Sequence, residues 1–416
     1  MKILQINVFH YPKGGSETVY FNTSKLLQEN NHEVVHFALQ WHENETSPFA
    51  SYFPQSKETR TGILKPIKNI INYFYNSEAA TKLEQLIIAE KPDLAHIHLI
   101  WGQITGSILP VLKRYNIPIA CTAHDYRMIC PAYTFKNGKD EICEKCKGGK
   151  YYQCLLNKCT KKNHLLSAMA TCEQYYRNLF FNPAKYIDGI IYVSNFAKEK
   201  HEQLMPSLAN KPNITLYNTT TQILPNYNQS KSTEQKERYF LSFGRLSNEK
   251  GVRTLIQAFE HLPECHLKIA GTGPLEEELK SYVSTTNISN IEFVGFQTGH
   301  ALQRLISDAY FVIVPSEWYE NNPMTIIEAY ATAIPVIGSK IGGIPEIINH
   351  KTGFLFEHGN VRALEQTIKK ANKLTLKEYD TMAYNALEFA QKHFNNKSHY
   401  EKLKDFYNKI STIKVL

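Results

Sequence analysis

The chain has 416 residues, of which 43% are hydrophobic and 21% are charged. This length suits two domains better than a single core, and the composition excludes wholesale disorder. No stretch approaches the roughly 20 consecutive apolar residues that a membrane-spanning helix requires. An apolar strand pattern begins almost at the N-terminus, without a signal-peptide cleavage site, so we expect a cytoplasmic protein. Its eight cysteines are then expected to be reduced thiols or metal ligands.

Short apolar runs alternate with helical stretches in both halves of the chain, which is the pattern of βα units and parallel sheets. These runs predict strands at 3–8, 34–39, 94–99, 117–122, 189–193 and 214–217, and at 239–243, 266–270, 291–294, 311–314, 335–337 and 353–356. The predicted fold class is therefore α/β, with two doubly wound domains.

A polar segment without apolar periodicity, residues 219–238, predicts the linker between the two domains. The domains then comprise residues 1–218 and 239–395. Residues 396–416 form a predicted helix whose aromatic side chains need burial, and we expect it to return to the N-terminal domain. Because ligands of doubly wound sheets bind outside the carboxyl ends of the strands, a cleft between the domains is the expected site.

Two strand ends of the first domain carry candidate ligand-binding residues. Gly14 and Gly15 follow the first strand, where backbone amides could approach an anion, although a plain tight turn is the alternative. Their spacing is not that of a dinucleotide-binding loop. His124 and Asp125 follow the fourth strand, where His124 could bind a sugar hydroxyl, act as an acid or base, or be structural.

One loop of the second domain carries two cations just ahead of a predicted helix. Arg245 and Lys250 could clamp a diphosphate, because arginine offers a bidentate fork and lysine a mobile point charge. The alternative is a pair of surface cations, one of them bonded to Glu249.

A second turn of the same domain combines carboxylates with a helix start. Glu320 and Glu328 bracket the beginning of the helix, where the amides of Met324 and Thr325 would be unpaired donors. The turn could thus offer a carboxylate to a sugar, donors to a phosphate and a carboxylate to a ribose. Two ordinary surface glutamates are the alternative.

Taken together and in order, these motifs resemble those of the family 4 glycosyltransferases. The resemblance covers nearly the whole chain and rests on Gly14-Gly15, Lys91-Pro92-Asp93, His96-Ile97-His98, His124-Asp125, Phe243-Gly244-Arg245, Glu249-Lys250-Gly251, Ala270-Gly271-Thr272-Gly273-Pro274, Glu320 with Glu328-Ala329, Pro335-Val336-Ile337 and Gly342-Gly343-Ile344-Pro345-Glu346. It implies the GT-B fold, in which two Rossmann-like domains face a central cleft. It also implies a retaining enzyme that moves a sugar from a nucleotide-sugar to an acceptor.

The family pattern assigns roles residue by residue. It implies that Arg245 and Lys250 hold the diphosphate, that Glu320 and His124 contact the donor sugar, and that Glu328 binds the ribose. The implied catalytic residues are His124, Glu320, Arg245 and Lys250. The implied donor-binding residues are Gly14, Gly15, Arg245, Lys250, Gly271, Gly273, Val294, Phe296, Asn321, Asn322, Met324, Thr325 and Glu328. The acceptor side would comprise Glu17, Asp125 and Tyr126.

No cofactor is expected beyond the co-substrate, a UDP- or GDP-sugar. The sequence holds no Asp-x-Asp pair that would hold a divalent metal on a diphosphate, so metal-independent catalysis is expected. A nucleotide-sugar epimerase and a non-catalytic carbohydrate-binding scaffold are the alternative functions. Nucleic acid is not an expected partner, because the basic segment lacks a recognisable reader module.

An insertion at 127–165 combines cysteines with lysines. Its stretch from Lys136 to Lys162 holds eight lysines and three acidic residues, out of a net charge of +8 for the chain. We expect it to meet an anionic acceptor or membrane surface, a solvated loop being the alternative. Cysteines at positions compatible with a structural zinc site are Cys143, Cys146, Cys154 and Cys159.

The segment at 65–75 mixes lysines with aromatic and aliphatic residues. Such a helix could lie in a membrane interface or turn its apolar side to the core. These features suggest a saccharide or lipid-linked saccharide as the acceptor, in the biosynthesis of a surface polysaccharide such as lipopolysaccharide or capsule. The enzyme would then be peripheral on the inner face of the cell membrane.

Overall fold

The structure is a computed structural model that describes residues 1–60, 65–220, 223, 224, 226 and 238–412. It divides into two compact units. The first unit comprises Met1–Tyr217 together with Lys397–Leu416, and the second comprises Asn218–Asn396. Most of the predicted linker lies outside the described residues.

The first unit is built on one parallel sheet covered by helices. Its strands are β1 (Lys2–Ile6), β2 (Glu33–Phe37), β3 (Leu94–Ile97), β4 (Ile119–Ala123), β5 (Gly189–Tyr192) and β6 (Asn213–Thr215). Their order in the sheet is β2-β1-β3-β4-β5-β6. The helices are α1 (Gly15–Glu29), α2 (Lys65–Phe74), α3 (Ser77–Glu90), α4 (Leu109–Arg114), α5 (Tyr152–Leu156), α6 (His164–Phe180), α7 (Pro183–Tyr186) and α8 (Asn195–Leu204).

The second unit repeats this architecture. Its strands are β7 (Tyr239–Phe243), β8 (His266–Ala270), β9 (Ile291–Gly295), β10 (Phe311–Val314), β11 (Val336–Ser339) and β12 (Gly353–Phe356), in the order β12-β11-β10-β7-β8-β9. Its helices are α9 (Val252–Glu260), α10 (Glu276–Thr285), α11 (Gly299–Ser307), α12 (Met324–Ala331), α13 (Ile344–Ile347), α14 (Val361–Asn372) and α15 (Leu376–His393).

Both sheets confirm the predicted fold class, two doubly wound α/β domains. Every predicted strand is present, with ends displaced by at most two residues. The central strands are buried on both faces, as in β4 and β10. Parallel strands covered on both sides read as continuous apolar runs, which is why the sequence located them so closely.

The last helix, α16 (Asn396–Thr412), belongs almost entirely to the first unit. It packs against the sheet of that unit through Tyr400, Leu403, Phe406, Tyr407 and Ile410. Their partners in the core include Ile3, Leu94, Ala120 and Ile191. The Tyr407 hydroxyl also lies 2.7 Å from Nδ1 of the buried His96. The first unit therefore completes its core with residues from the far end of the chain.

Candidate active-site residues

In the second unit, the loops that follow β7 and β8 pack backbone against backbone. The amide of Gly244 donates to the carbonyl of Ala270 at 2.9 Å, and that of Leu246 to the carbonyl of Thr272 at 2.9 Å. Gly271 has a φ of +136°, and a β-carbon there would overlap the carbonyl of Gly244. A β-carbon on Gly273 would likewise overlap the backbone of Leu246. These two predicted donor-binding glycines are therefore required by the packing of the loops themselves.

Lys250 and Glu320 are brought together across 70 residues of chain. The Lys250 ammonium lies 2.6 Å from Oε1 of Glu320, and the Ser316 hydroxyl donates to the same oxygen at 2.8 Å. Glu320 is only 5% exposed. Burial alone would raise its pKa, but the charge and hydrogen bond of Lys250 hold the pKa below the ordinary value. Glu320 is therefore ionised at neutral pH, while Lys250 keeps a third of its side chain exposed.

Arg245 lies on the same loop as Lys250 but differs from it in environment. Its side chain is exposed and forms no ion pair with the residues that the structure describes. An exposed guanidinium without a carboxylate partner remains available to a phosphate ligand. The predicted alternative, in which Glu249 neutralises one of the two cations, is not observed for Lys250, since its partner is Glu320.

The turn before α12 is anchored by a residue that the sequence reasoning did not assign to the site. The Asn218 amide donates to Oδ1 of Asn322 at 2.8 Å, and the Asn218 side chain donates to the Asn322 carbonyl at 3.0 Å. Pro323 caps α12 in an extended conformation, so the helix starts at Met324 rather than at the proline. No side chain caps this helix start, so the amides of Met324 and Thr325 face the turn without a capping partner.

Glu328 lies on the first turns of α12 and differs sharply from Glu320. Burial raises the pKa of Glu328 to about 7, and no described residue forms an ion pair with it. A half-buried carboxylate of this kind gains stability when a hydroxyl ligand donates to it. At the end of β9, Val294 is half-buried, whereas the Phe296 ring is 68% exposed.

In the first unit, the glycines after β1 begin α1. Gly14 caps the helix with a φ of −171°, which is extended backbone, and a β-carbon there would meet Oε2 of Glu17 at an ordinary 3.5 Å. Glu17 is buried, accepts from Ser16 at 3.1 Å and from Asn7 at 3.4 Å, and burial raises its pKa. This turn is thus free of backbone strain, unlike the loop at Gly271.

A chain of buried hydrogen bonds fixes the ring of His124. Nε2 of His98 lies 2.6 Å from Oε1 of Gln5, and Nδ1 of His98 lies 2.9 Å from Nε2 of His124. Burial lowers the pKa of His98 well below its ordinary value and that of His124 to about 4, so both rings are neutral at pH 7. Because the Gln5 oxygen can only accept, His98 carries its proton on Nε2 and accepts at Nδ1. His124 therefore donates from Nε2, and its Nδ1 is an acceptor.

Of the two predictions next to His124, one needs revision. Asp125 accepts from the Arg127 amide at 2.9 Å and from the Arg127 side chain at 3.2 Å, so it forms an ion pair. Tyr126 is fully buried and packs against Phe135 and His201. The prediction that Tyr126 lies on the acceptor side is wrong, because a side chain without exposed surface cannot touch an acceptor.

The cysteine- and lysine-rich insertion folds against α6 and α8 instead of standing alone. Gln174 donates to the carbonyl of Met128 at 3.0 Å, and Lys200 pairs with Glu144 at 2.6 Å. The thiols of Cys154 and Cys159 are hydrogen-bonded to each other, which lowers the pKa of Cys154 to about 7.

The structure describes all four cysteines of the predicted zinc site, Cys143, Cys146, Cys154 and Cys159. Across the described ranges, however, no group of three or more His, Cys, Asp or Glu side chains is arranged to hold a metal ion. The zinc site at these four cysteines therefore stays a prediction.

Exposed apolar side chains lie on or next to α2, α5 and α6 in the first unit, where α6 contacts both of the other helices. Ile67, Ile70 and Ile71 are each more than half exposed, and Phe74 packs edge-on against Tyr176 of α6 at 5.7 Å. The others are Tyr75, Tyr152, Leu156, Leu165, Leu166, Tyr175, Leu179 and Phe180. We call this set the apolar surface. Of the two alternatives left open for α2, the core-facing one does not hold for these three isoleucines. No helix in the described part is long and apolar enough to cross a membrane.

Two parallel-sheet units of this kind define the class of GT-B glycosyltransferases, to which the structural neighbours belong. The structure of Anabaena HepE in complex with UDP-glucose superposes with a TM-score of 0.65, covering 98% of this chain and 100% of that chain at 17% identity. Such a likeness establishes the fold.

Family models match both halves of the chain. Residues 13–218 match the model described as Glycosyltransferase Family 4, and residues 225–389 match that described as Glycosyl transferases group 1. The chain therefore belongs to the family 4 glycosyltransferases, as the sequence motifs indicated.

Curated relatives extend these matches. The putative colanic acid biosynthesis glycosyltransferase WcaL of Escherichia coli is 29% identical over 166 residues, which are 37% of this chain and 41% of WcaL. The N-acetyl-alpha-D-glucosaminyl L-malate synthase of Bacillus anthracis is 26% identical over 377 residues, which are 86% of this chain and 84% of that protein. The chain spans between 33% and 55% of the length of the first curated relatives that it matches.

Proposed function

We propose that this protein is a retaining glycosyltransferase that transfers a sugar from a nucleotide-diphosphate sugar to a saccharide or lipid-linked saccharide of a surface polysaccharide. The observation that carries the proposal is the ion pair between Lys250 and the buried Glu320, in which Lys250 shares its loop with the exposed Arg245. The name of WcaL, a colanic acid biosynthesis enzyme, supports the polysaccharide, and the HepE complex supports a UDP-sugar donor.

The residues of the second unit divide the donor among them. Arg245 and Lys250 hold the diphosphate, together with the uncapped amides at the start of α12. Glu320 accepts from hydroxyls of the donor sugar, and Glu328 accepts from the ribose. The base lies near Val294 and the exposed ring of Phe296, while Asn321 and Asn322 shape the turn ahead of α12.

Transfer then proceeds by attack of the acceptor on the same face from which the nucleotide leaves. The bond between the anomeric carbon and the phosphate oxygen breaks, the bond to the acceptor oxygen forms, and the acceptor proton passes to the departing phosphate. Arg245 and Lys250 stabilise the charge of the leaving diphosphate, and no metal is required. His124, neutral at pH 7, contacts the donor sugar. Gly14 and Gly15 let the backbone pass close to the phosphate.

Product analysis with a panel of UDP- and GDP-sugars tests this proposal. A transferase releases nucleotide faster when an acceptor is added, and NMR of the product shows the anomeric configuration of the donor. Addition of EDTA should leave the rate unchanged. Release of an altered sugar without an acceptor would establish an epimerase instead, and absence of release with every donor would indicate a scaffold.

We propose further that the apolar surface docks on an anionic membrane. The neighbouring insertion adds exposed lysines, among them Lys147, Lys150 and Lys161, which complement acidic lipid headgroups. Exposed isoleucines on a short helix can enter the interface of a bilayer, where each buried CH2 contributes about 0.8 kcal/mol. The lipid-linked acceptor would then be met at the surface where it resides.

Vesicle sedimentation tests this docking with two sets of variants. Replacing Ile67, Ile70 and Ile71 together by serine should lower binding to vesicles that contain phosphatidylglycerol at least tenfold. Ile88→Ser is the matched control, because Ile88 is equally exposed on α3 but lies outside the apolar surface. The double variant Lys147→Glu, Lys150→Glu should bind the vesicles more weakly, and its binding should depend less on salt concentration than that of the wild type. Equal binding of wild type and both sets of variants would contradict the proposal.

A further inference from the structure

A pocket of about 310 Å³ opens within the first unit, and Asp125 is the one residue of its lining that the sequence motifs indicated. It lies at the carboxyl edge of the sheet, since Phe9 follows β1, Trp101 and Gln103 follow β3, and Asp125 follows β4. Ligands of doubly wound sheets bind at this edge. Asp125, which lines the pocket, is the residue next to the candidate His124.

The charge of the pocket is positive. Three cations line it, Lys57, Arg60 and Arg127, against the single carboxylate of Asp125. Asp125 is already paired with Arg127 at 3.2 Å. Lys57 and Arg60 have no ion-pair partner within the chain segments that the structure describes. The pocket therefore holds two cationic groups in excess of its carboxylate.

Arg60 is a built part of this site rather than a surface side chain. It is only 5% exposed and is held by Oδ1 of Asn69 at 2.6 Å and by the carbonyl of Gln55 at 3.2 Å. Both partners are neutral. A guanidinium that is buried without a carboxylate costs free energy unless an anion completes its environment. The fork of Arg60 is suited to a phosphate or a carboxylate, which it can bind through two hydrogen bonds.

The remaining wall of the pocket suits a sugar. Phe9, Tyr73 and Trp101 contribute aromatic rings, and the amide oxygen of Gln103 is buried without a hydrogen-bond partner. A buried acceptor of this kind is expected to meet a donor such as a ligand hydroxyl. Gly102, with a φ of +89°, lies so close to Arg127 that a β-carbon would come within 3.2 Å of its guanidinium.

We infer that this pocket binds a sugar that carries an anionic group, a phosphate or a carboxylate, as part of the acceptor. The inference rests on the proposed transferase function, which supplies the need for an acceptor. Arg60 and Lys57 bind the anionic oxygens, Arg127 is held by Asp125 at the rim, and Gln103 accepts from a sugar hydroxyl. The opposite side of α2 carries Ile67, Ile70 and Ile71. A lipid-linked phosphate could therefore bind the pocket with its phosphate and contact these isoleucines with its lipid.

Binding of three small probes tests the inference at physiological salt. Glucose 1-phosphate, glucuronate and neutral glucose are titrated into the full chain by calorimetry or saturation-transfer NMR, with UDP present to fill the donor site. The wild type should bind at least one anionic sugar ten times more tightly than glucose. Preference for the phosphate assigns the anion to a phosphorylated acceptor, and preference for the carboxylate assigns it to an acidic sugar. Equal binding of all three overturns the inference.

Variants locate the effect. Arg60→Gln should reduce anionic-sugar affinity at least tenfold and leave UDP affinity unchanged, whereas Arg60→Lys should retain part of the preference. Lys57→Gln changes an exposed side chain that does not threaten folding, and should cost a few-fold. Lys25→Gln, an exposed lysine on α1, is the control and should have no effect. Unchanged anion preference in Arg60→Gln and Lys57→Gln overturns the assignment.

The same samples separate this inference from the proposed function. If the protein releases UDP from a UDP-sugar but shows no anion preference, the pocket assignment fails and the transferase stands. If it prefers anionic sugars but uses no donor, the pocket stands and the proposed function fails.

Discussion

The residues of the second unit that are assigned to the donor and the pocket of the first unit are built in different ways. The donor residues lie on a few compact loops, and short motifs such as Phe243-Gly244-Arg245 identify them in the sequence. The pocket takes Phe9, Arg60, Trp101 and Arg127 from four separate stretches of chain. A site made of compact loops can thus be found in a sequence, whereas a site assembled by a sheet edge becomes visible only in three dimensions.

The largest expected difference is in stability, between an alanine substitution at Gly271 in the second unit and one at Gly14 in the first. Gly271→Ala should lower the free energy of unfolding by about 3 kcal/mol or more, because φ is +136° and the new β-carbon overlaps a carbonyl. Gly14→Ala should cost only about 1 kcal/mol, as the backbone there is extended and the space is open. Urea denaturation followed by circular dichroism measures both. Equal losses of unfolding free energy in the two variants would contradict the view that only Gly271 is required by backbone packing.

The second largest effect is expected in UDP affinity, when either cation of the loop after β7 is removed. Arg245→Ala and Lys250→Ala should each weaken UDP binding about tenfold, since a hydrogen bond to a charged group contributes about 1.5–3 kcal/mol. Lys280→Ala on α10 is the control. Only Lys250→Ala should also lower thermal stability, because it leaves Glu320 buried without its counter-ion. Calorimetric titration together with thermal melting separates the two effects, and unchanged UDP affinity in both variants would refute the clamp.

A smaller effect is expected from pH. The pKa of Glu328 is raised to about 7, so its carboxylate becomes charged only above that pH. Affinity for UDP-glucose, whose diphosphate has no proton to gain in this range, should fall about threefold to tenfold from pH 8 to pH 6. Glu328→Gln should give a flat profile and lower affinity at pH 8. If the UDP-glucose affinity of the wild type did not change with pH, the assignment of Glu328 to the ribose would be wrong.

The smallest effect should come from the helix that completes the first unit. Tyr407→Phe removes the hydroxyl 2.7 Å from buried His96 and should cost about 1 kcal/mol of stability. UDP affinity should not change, because Arg245, Lys250 and Glu328, which are assigned to the diphosphate and the ribose, belong to the second unit. Chemical denaturation and calorimetry measure the two quantities. A change in UDP affinity would mean that this packing reaches the donor site.

Sequence reasoning succeeded where burial is continuous and failed where orientation matters. Strands such as β10 were located because their side chains are apolar on both faces. Tyr126 was wrongly assigned to the acceptor side, because the sequence does not reveal that its ring packs against Phe135 and His201. The outward direction of Ile70 was left open, since an amphipathic helix reads alike whether it faces a core or a membrane.

The candidate site shows the same limits. Glu320 and Lys250 were singled out by motif, but no pattern revealed that they pair with each other across 70 residues. Asn218 is the last residue of the predicted first domain, but its bonds to Asn322 could not be read from the sequence. Arg60 gave no signal, because an isolated arginine in a loop is ordinarily a solvated surface residue.

The position of α16 has a consequence for how the protein is made. Its five core residues are translated after the whole of the second unit, which is a continuous stretch of chain. During synthesis, the second unit can therefore fold as it emerges. The sheet of the first unit lacks the covering helix α16 until residues 400–410 have left the ribosome. The earliest segment to be translated is thus the last to be completed, and a chain truncated near residue 396 would contain the second unit but lack five core residues of the first.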